Sequence, residues 1–381
     1  MKLFKSLLVA PATIGLLAPF STFAGETNLN DISKYSDIEQ IDLANAFVND
    51  EPNHNPLLAG GEGLVDDHSH DGGFSETTTA SFSADFAIGS VEGTAGEEAI
   101  TTAYGFQIDL STSFTGEDSF DVSLDAGETA ATTTLDELDL NSNGETLAVD
   151  GISYTFPLGE KTTVFVGDSM DGSTLYSTAC VYGGVTNTLD DCGNGSSAMA
   201  GGAGTAAGAS FDIGSGFTAA IGYTGDGTTE GLMSLEGLDT YGGQVTYTGD
   251  SFGVSVTYAD VETTTTSNTT YWGFNGYYTP ESSDLPSISV GYEVGDASDS
   301  STTLDTEQWF VGLQWDEMGP GTLGVAAGTN GAIEENAVDY YMYEAFYSYP
   351  VNDGMTITPL IYVAEGATDS TGVMVKTSFS F

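Results

Sequence analysis

From Phe74 onward, apolar and polar residues take alternate positions in one short run after another. "ASFSADFAI" sets Phe82, Ala84, Phe86 and Ile88 against Ser81, Ser83 and Asp85. "YGFQIDLSTSF" sets Tyr104, Phe106, Ile108 and Leu110 against Gln107, Asp109 and Ser111. "SFDVSLD" sets Phe120, Val122 and Leu124 against Asp121, Ser123 and Asp125. A period of two marks a strand with one apolar and one polar face. The pattern predicts strands near 77–90, 100–114, 118–127, 145–156, 161–168, 204–213, 216–224 and 241–248. It continues near 252–261, 269–279, 286–295, 306–316, 320–329, 338–349, 354–365 and 371–381. That makes about sixteen segments, an even number, each near the ~10 residues of a tilted membrane strand.

The connections alternate in length. "GED" (116–118), "PLGE" (157–160), "GSG" (214–216), "GDS" (249–251), "DEMG" (316–319) and "PVNDG" (350–354) are short. Between them lie 128–144, 169–203, 225–240, 261–268, 296–305 and 330–337. Tight turns at one end and long loops at the other are the habit of a transmembrane barrel. A soluble sandwich would also alternate its strand faces, but it has no reason to sort its connections by length. Aromatics cluster at strand ends, namely Tyr241, Trp272, Tyr277, Tyr278, Trp309, Trp315, Tyr340, Tyr341, Tyr347 and Tyr349. Interfacial girdles have that distribution. The expected fold is all-β: a transmembrane antiparallel β-barrel of about sixteen strands over 74–381, preceded by a short periplasmic segment.

The beginning of the chain differs. "MKLFKSLLVAPATIGLLAPFSTFA" has two lysines, an apolar stretch and small residues before Gly25, which reads as a secretory signal peptide over 1–24. Residues 25–73 form an N-terminal periplasmic segment, with a short helix expected over Ile38–Phe47 and a turn-rich remainder. No later stretch reaches the ~20 apolar residues of a spanning helix. The expected location is the cell outer membrane.

Composition sharpens this picture. There are 56 acidic residues against 5 lysines and no arginine, a formal net charge of −51. Such a charge excludes nucleic-acid binding. Disordered acidic chains are poor in aromatics, whereas this one holds 19 Tyr and 20 Phe. The 3 histidines all precede the barrel, so no Ser–His pair can form within it, and no nucleophile elbow is present; the chain does not read as an enzyme. "GDGTTEGL" and "DSMDGSTL" lack the ligand spacing of a calcium hand. In "DDHSHDGG", His68 and His70 with Asp66, Asp67 and Asp71 are weak metal candidates, and a solvated linker is the more ordinary reading. No cofactor is expected.

The signal-peptide stretch, the opening "FSETTTASFSADF", the cysteine-bearing "STACVYGGVTNTLDDCGN" and the final "SFSF" resemble the cyanobacterial outer-membrane porins. These are related to the carbohydrate-selective porins. The resemblance implies a channel for inorganic ions, iron among them, and small hydrophilic solutes. It leaves sugar passage open, and also a plugged barrel serving as a surface structural or adhesion protein. It implies a terminal aromatic, Phe381 with Phe379, similar to the signal read by the barrel-assembly machinery. Expected partners are outer-membrane lipid, that machinery and the solutes in transit. General porins are trimers and the carbohydrate-selective relatives are often monomers, so a homo-oligomer stays open. Family members usually carry a surface-layer-homology module after the signal. Here "ISKYSDIEQIDLANAF" resembles part of it and the module's Trp-Ala core is missing.

Parity then nominates the pore lining: Asp85, Asp109, Asp121, Asp125, Asp212, Glu293 and Glu344, with Lys376 the clearest inward base. Acidic rings favour cations. The longest connection, 169–203, is third among the external loops, and by family analogy it folds inward. Asp171, Asp190 and Asp191 are its constriction candidates. It also holds the 2 cysteines, Cys180 and Cys192. Outside the cytosol, a bridge between them would close a small ring and stiffen the loop.

Overall fold

The computed structural model describes residues 78–93, 99–128, 135–138, 140, 145–195, 204–227, 231–282, 284–298 and 304–381. The signal peptide read at 1–24, the segment 25–73 and the candidates His68 and His70 lie outside the described residues.

The strands are β1 (Thr78–Glu92), β2 (Thr101–Thr112), β3 (Ser119–Gly127), β4 (Ala148–Pro157), β5 (Thr162–Met170) and β6 (Gly204–Gly214). Next come β7 (Phe217–Gly225), β8 (Asp239–Thr248), β9 (Phe252–Thr264), β10 (Ser267–Tyr278), β11 (Ser287–Ala297) and β12 (Thr306–Met318). Last are β13 (Gly321–Thr329), β14 (Ile333–Glu334), β15 (Tyr341–Asn352), β16 (Met355–Ala364) and β17 (Ser370–Ser380). β14 is a two-residue strand within a loop, hydrogen-bonded to β12. The other sixteen form the wall, each antiparallel to the next in the chain. β1 pairs with β2 on one side and β17 on the other, so the sheet closes and leaves no edge.

At the seam, the Phe82 amide donates to the Phe381 carbonyl (2.9 Å) and the Phe381 amide returns a bond to Phe82 (3.0 Å). Their rings stack at 5.8 Å. The same parity that faces Val373 and Phe379 outward carries on to Phe381.

Exposure along each strand is inverted relative to a soluble protein. On β9, Val254 and Val256 are exposed while Ser255 and Thr257 are buried. On β7, Ile221 is 66% exposed and its neighbours Ala220 and Gly222 are buried. Apolar residues facing outward are stable only against lipid. Aromatics frame this band at both ends. At the loop end Tyr223–Tyr241 (5.3 Å), Tyr258–Trp272 (5.0 Å) and Trp309–Tyr341 (5.9 Å) pair. At the turn end Phe217–Tyr247 (4.8 Å), Tyr247–Phe252 (5.4 Å) and Tyr154–Phe156 (5.4 Å) do the same. Tyr277, expected in a girdle, instead shares the inner parity of Asn275, and its ring lies against Gly253.

Among the connections, sequence and structure part most clearly after β9. β9 runs to Thr264 and β10 starts at Ser267, so the long loop expected at 261–268 is a tight hairpin. Its threonines read as polar loop, yet β-branched residues hold an extended ladder well beyond the membrane. The next connection at the turn end, 279–286, is longer and contains Pro280 and Pro286. The sorting of connections by length fails across this pair.

Candidate functional site

The loop after β5 does not stand outside the barrel. Its described part, 171–195, runs along the inner wall from β7 to β15, and wall side chains take up its backbone. The Gly172 amide donates to Thr224 Oγ1 on β7 (2.6 Å) and the Ser177 amide to Gln244 Oε1 on β8 (2.7 Å). The Ala179 amide donates to Ser255 Oγ on β9 (3.0 Å). Val181 and Tyr182 both donate to Ser289 Oγ on β11 (3.0 and 3.2 Å), and Gly183 donates to Gln314 Oε1 on β12 (2.9 Å). Two carbonyls are held as well: Thr246 Oγ1 donates to Ser177 (2.8 Å) and Asn275 Nδ2 to Cys192 (3.1 Å). Each buried amide needs an acceptor, and inward-facing Ser, Thr, Gln and Glu supply them.

Glu344 on β15 fixes the far end of this path. It is 3% exposed and accepts three bonds: from the Tyr182 hydroxyl (2.7 Å), the Thr186 amide (3.1 Å) and Thr186 Oγ1 (2.6 Å). Burial, reinforced by the Glu344 charge, holds the Tyr182 hydroxyl far above its ordinary range, so it stays a donor. Burial alone pushes Tyr176 up. Cys180 and Cys192 are disulfide-bonded, twelve positions apart, so the stretch that carries Tyr182 and Thr186 is a closed ring.

Two wall glycines permit the close approach. A Cβ on Gly291 would collide with the Cys192 carbonyl, and one on Gly222 with the Gly172 carbonyl.

The described residues 135–138 and 140, between β3 and β4, also lie inside the barrel. Leu135, Leu138 and Leu140 pack with Tyr182, Val185 and Leu189 over Phe310, Met342, Phe346, Leu360, Tyr362 and Met374 of the wall. Tyr182 lies 5.3 Å from Phe310 and 5.9 Å from Phe346. Burying each leucine is worth roughly 1.5–3 kcal/mol. The loops are tied directly too: the Asn187 amide donates to the Glu137 carbonyl (2.8 Å) and Thr188 Oγ1 to Glu137 Oε2 (3.1 Å).

The eight residues nominated by parity all lie on the inner face, in two settings. Glu293 is 2% exposed, and like Glu344 it is covered from the lumen; Asp125 is buried as well. Asp85, Asp109, Asp121 and Lys376 are half-buried and Asp212 is exposed. On β1–β3 the carboxylates sit among hydroxyls and amides. Asp109 accepts from Gln107 Nε2 (2.8 Å) and Ser123 Oγ (2.7 Å), and Asp121 accepts from Ser119 Oγ (2.7 Å). Across strands Asp121 faces Ser111, Asp125 faces Gln107, and Asp85 faces Ser378, two positions along from Lys376. On the inward loop, Asp171 is buried where the chain leaves β5, while Asp190 and Asp191 are half-buried beside Cys192. Reading the sequence missed the anchoring residues Thr224, Gln244, Ser255, Ser289 and Gln314. Their inward parity and uncharged polar side chains were the available signal.

Below the rim, Asp118 organises the turn between β2 and β3. Its Oδ1 accepts from Ser113 Oγ, Phe114 N, Thr115 N and Thr115 Oγ1 (2.8–2.9 Å), and its Oδ2 from the Tyr154 hydroxyl (2.7 Å). The Tyr154 bond, with the turn donors, holds this carboxyl well below the usual carboxylate range.

No protein-family model matches the chain, and no curated protein matches it. Solved structures do. Pseudomonas putida OprB superposes with a TM-score of 0.57 at 11% identity, covering 80% of this chain and 94% of that one. The anion-selective porin from Comamonas acidovorans gives 0.57 at 12% identity, with coverage of 80% and 99%. Salmonella typhi OmpF gives 0.57 at 12% identity, with coverage of 80% and 97%. The fold is that of the outer-membrane porins.

Proposed function

We propose that the chain is an outer-membrane porin, a water-filled and cation-preferring diffusion channel for inorganic ions, iron among them, and small hydrophilic solutes. One observation carries the reading. With the inward loop held against β7–β15, the polar wall of β1–β3 presents the half-buried Asp85, Asp109 and Asp121, and Lys376 is the one base on the described inner wall. Fixed carboxylates concentrate cations and repel anions at close range. The Comamonas acidovorans porin is described as anion-selective on the same fold. The sign of selectivity therefore rests on wall chemistry. Within the porins, the sequence motifs favour the cyanobacterial group, with residues 1–24 removed on export and 25–73 on the periplasmic side.

The test is single-channel conductance of the refolded chain in a planar bilayer under a KCl gradient. Dilute salt is needed, because the Debye length is about 10 Å at 0.1 M and about 3 Å at 1 M. The expected reversal potential favours potassium, and Asp109→Asn with Asp121→Asn lowers the preference. Chloride preference in the native chain refutes it.

A second reading has one observation in its favour. The apolar cluster joining the two inward loops to the wall from β12 round to β2 would suit a plugged barrel with a structural or adhesive role. A folded, heat-modifiable barrel that never conducts supports it over the channel.

A further inference from the structure

The described end of the loop between β7 and β8, residues 231–238, turns the opposite way, onto the outer face. It exposes Leu232, Met233, Leu235 and Leu238, with Leu235 at 87%. The outward turn follows from what holds it. The Met233 amide donates to Asp239 Oδ1 (3.3 Å), the same oxygen that accepts the Tyr223 hydroxyl. Tyr223 and Asp239 both have the outward parity of Ile221 and Tyr241, yet Asp239 is 3% exposed, because the loop covers it. Leu232 lies 3.6 Å from where a Cβ on Gly227 would sit, next to outward-facing Thr205. The turn is braced internally: the Gly237 amide donates to Ser234 Oγ (3.0 Å).

We propose that 231–238 is an interfacial anchor whose apolar side chains enter the acyl boundary of the outer leaflet. Continuity selects lipid as the occupant. The segment sits on the Tyr223–Tyr241 pair of the loop-end girdle, directly above lipid-facing Ile221. Apolar groups at that level gain by leaving water, and aromatic neighbours mark the headgroup boundary. Glu236 is the single carboxylate within 231–238, in a chain of net charge −51. With one carboxylate among four exposed apolar side chains, the segment itself is compatible with acyl chains. No role in permeation is required of it.

The test uses the full chain with Leu235→Cys. Its native cysteines are disulfide-bonded, so the new thiol is the sole labelling site. An environment-sensitive fluorophore is attached and the protein is placed in phosphatidylcholine vesicles. The expected emission is blue-shifted and is quenched by nitroxide lipids labelled near the headgroup. Quenching by aqueous iodide is expected to be several-fold weaker than at Thr265→Cys, on the exposed hairpin at the same end. Met233→Cys repeats the measurement at a second exposed position. Water-like emission with full iodide access overturns the proposal. Energy transfer between labelled copies that persists as the lipid-to-protein ratio rises also overturns it, in favour of a contact between chains.

Discussion

Tyr182→Phe removes one hydroxyl from the clamp on the inward loop and leaves its packing intact. The ring keeps its neighbours Phe310 and Phe346, and Glu344 keeps both bonds from Thr186. The bond removed is buried, and a hydrogen bond of this kind contributes about 0.5–1.5 kcal/mol. At 1.4 kcal/mol per factor of ten, local opening of the ring between the cysteines rises roughly 2- to 10-fold. Hydrogen–deuterium exchange of peptides covering 181–190, in detergent micelles, reads this directly, because those amides exchange through local opening. The wall ladder is untouched, so peptides from β1–β4 keep their native exchange. Pairing the change with Glu344→Gln gives less than additive acceleration, since both act on one network. Exchange of 181–190 that stays native in Tyr182→Phe would show that the hydroxyl does not hold the loop.

Three further outcomes are expected. Gly291→Ala drives a methyl into the Cys192 carbonyl, so 191–193 must leave the wall; altered conductance and protease access to the loop, with the barrel still heat-modifiable, are the readout. Asp118 has a depressed folded-state pKa, so its contribution is complete above the unfolded value of about 3.9 and is lost as pH falls toward the folded one. The thermal midpoint of the native chain should thus exceed that of Asp118→Asn at neutral pH, with the gap closing in acid; a gap that widens in acid refutes the assignment. Phe381→Ala removes the ring stacked on Phe82, about 0.5–1.5 kcal/mol beyond its buried area, and slower refolding monitored by gel mobility is the expected sign.

The strands were legible in the sequence because lipid and lumen impose a strict period of two. Parity placed Asp85, Asp109 and Lys376 on the inner face without any structure. It could not say what lies over that face: Glu293 and Glu344 share the parity of pore-lining residues but are buried. Coverage depends on contacts between residues far apart in the chain, such as Glu344 with Thr186, and no local pattern encodes them. The misread hairpin at Thr265 has a related cause, since strand length beyond the membrane is set by pairing rather than by hydropathy. The disulfide could be anticipated from two cysteines in one loop of a chain read as exported.

The inward loop is gripped largely by its backbone. Seven of the bonds described above run from loop amides to side chains on β7, β8, β9, β11, β12 and β15. A backbone amide is the same whichever residue carries it. The route of the loop is therefore written mostly in the wall, and many of its own side chains are free to change without rerouting it. Outside Cys180 and Tyr182, substitutions within 173–183 can retune the surface that the loop turns to the lumen, while substitutions on the distant strands decide where that surface stands. Anyone reshaping the lumen has two separate controls, and only one of them lies in the loop itself.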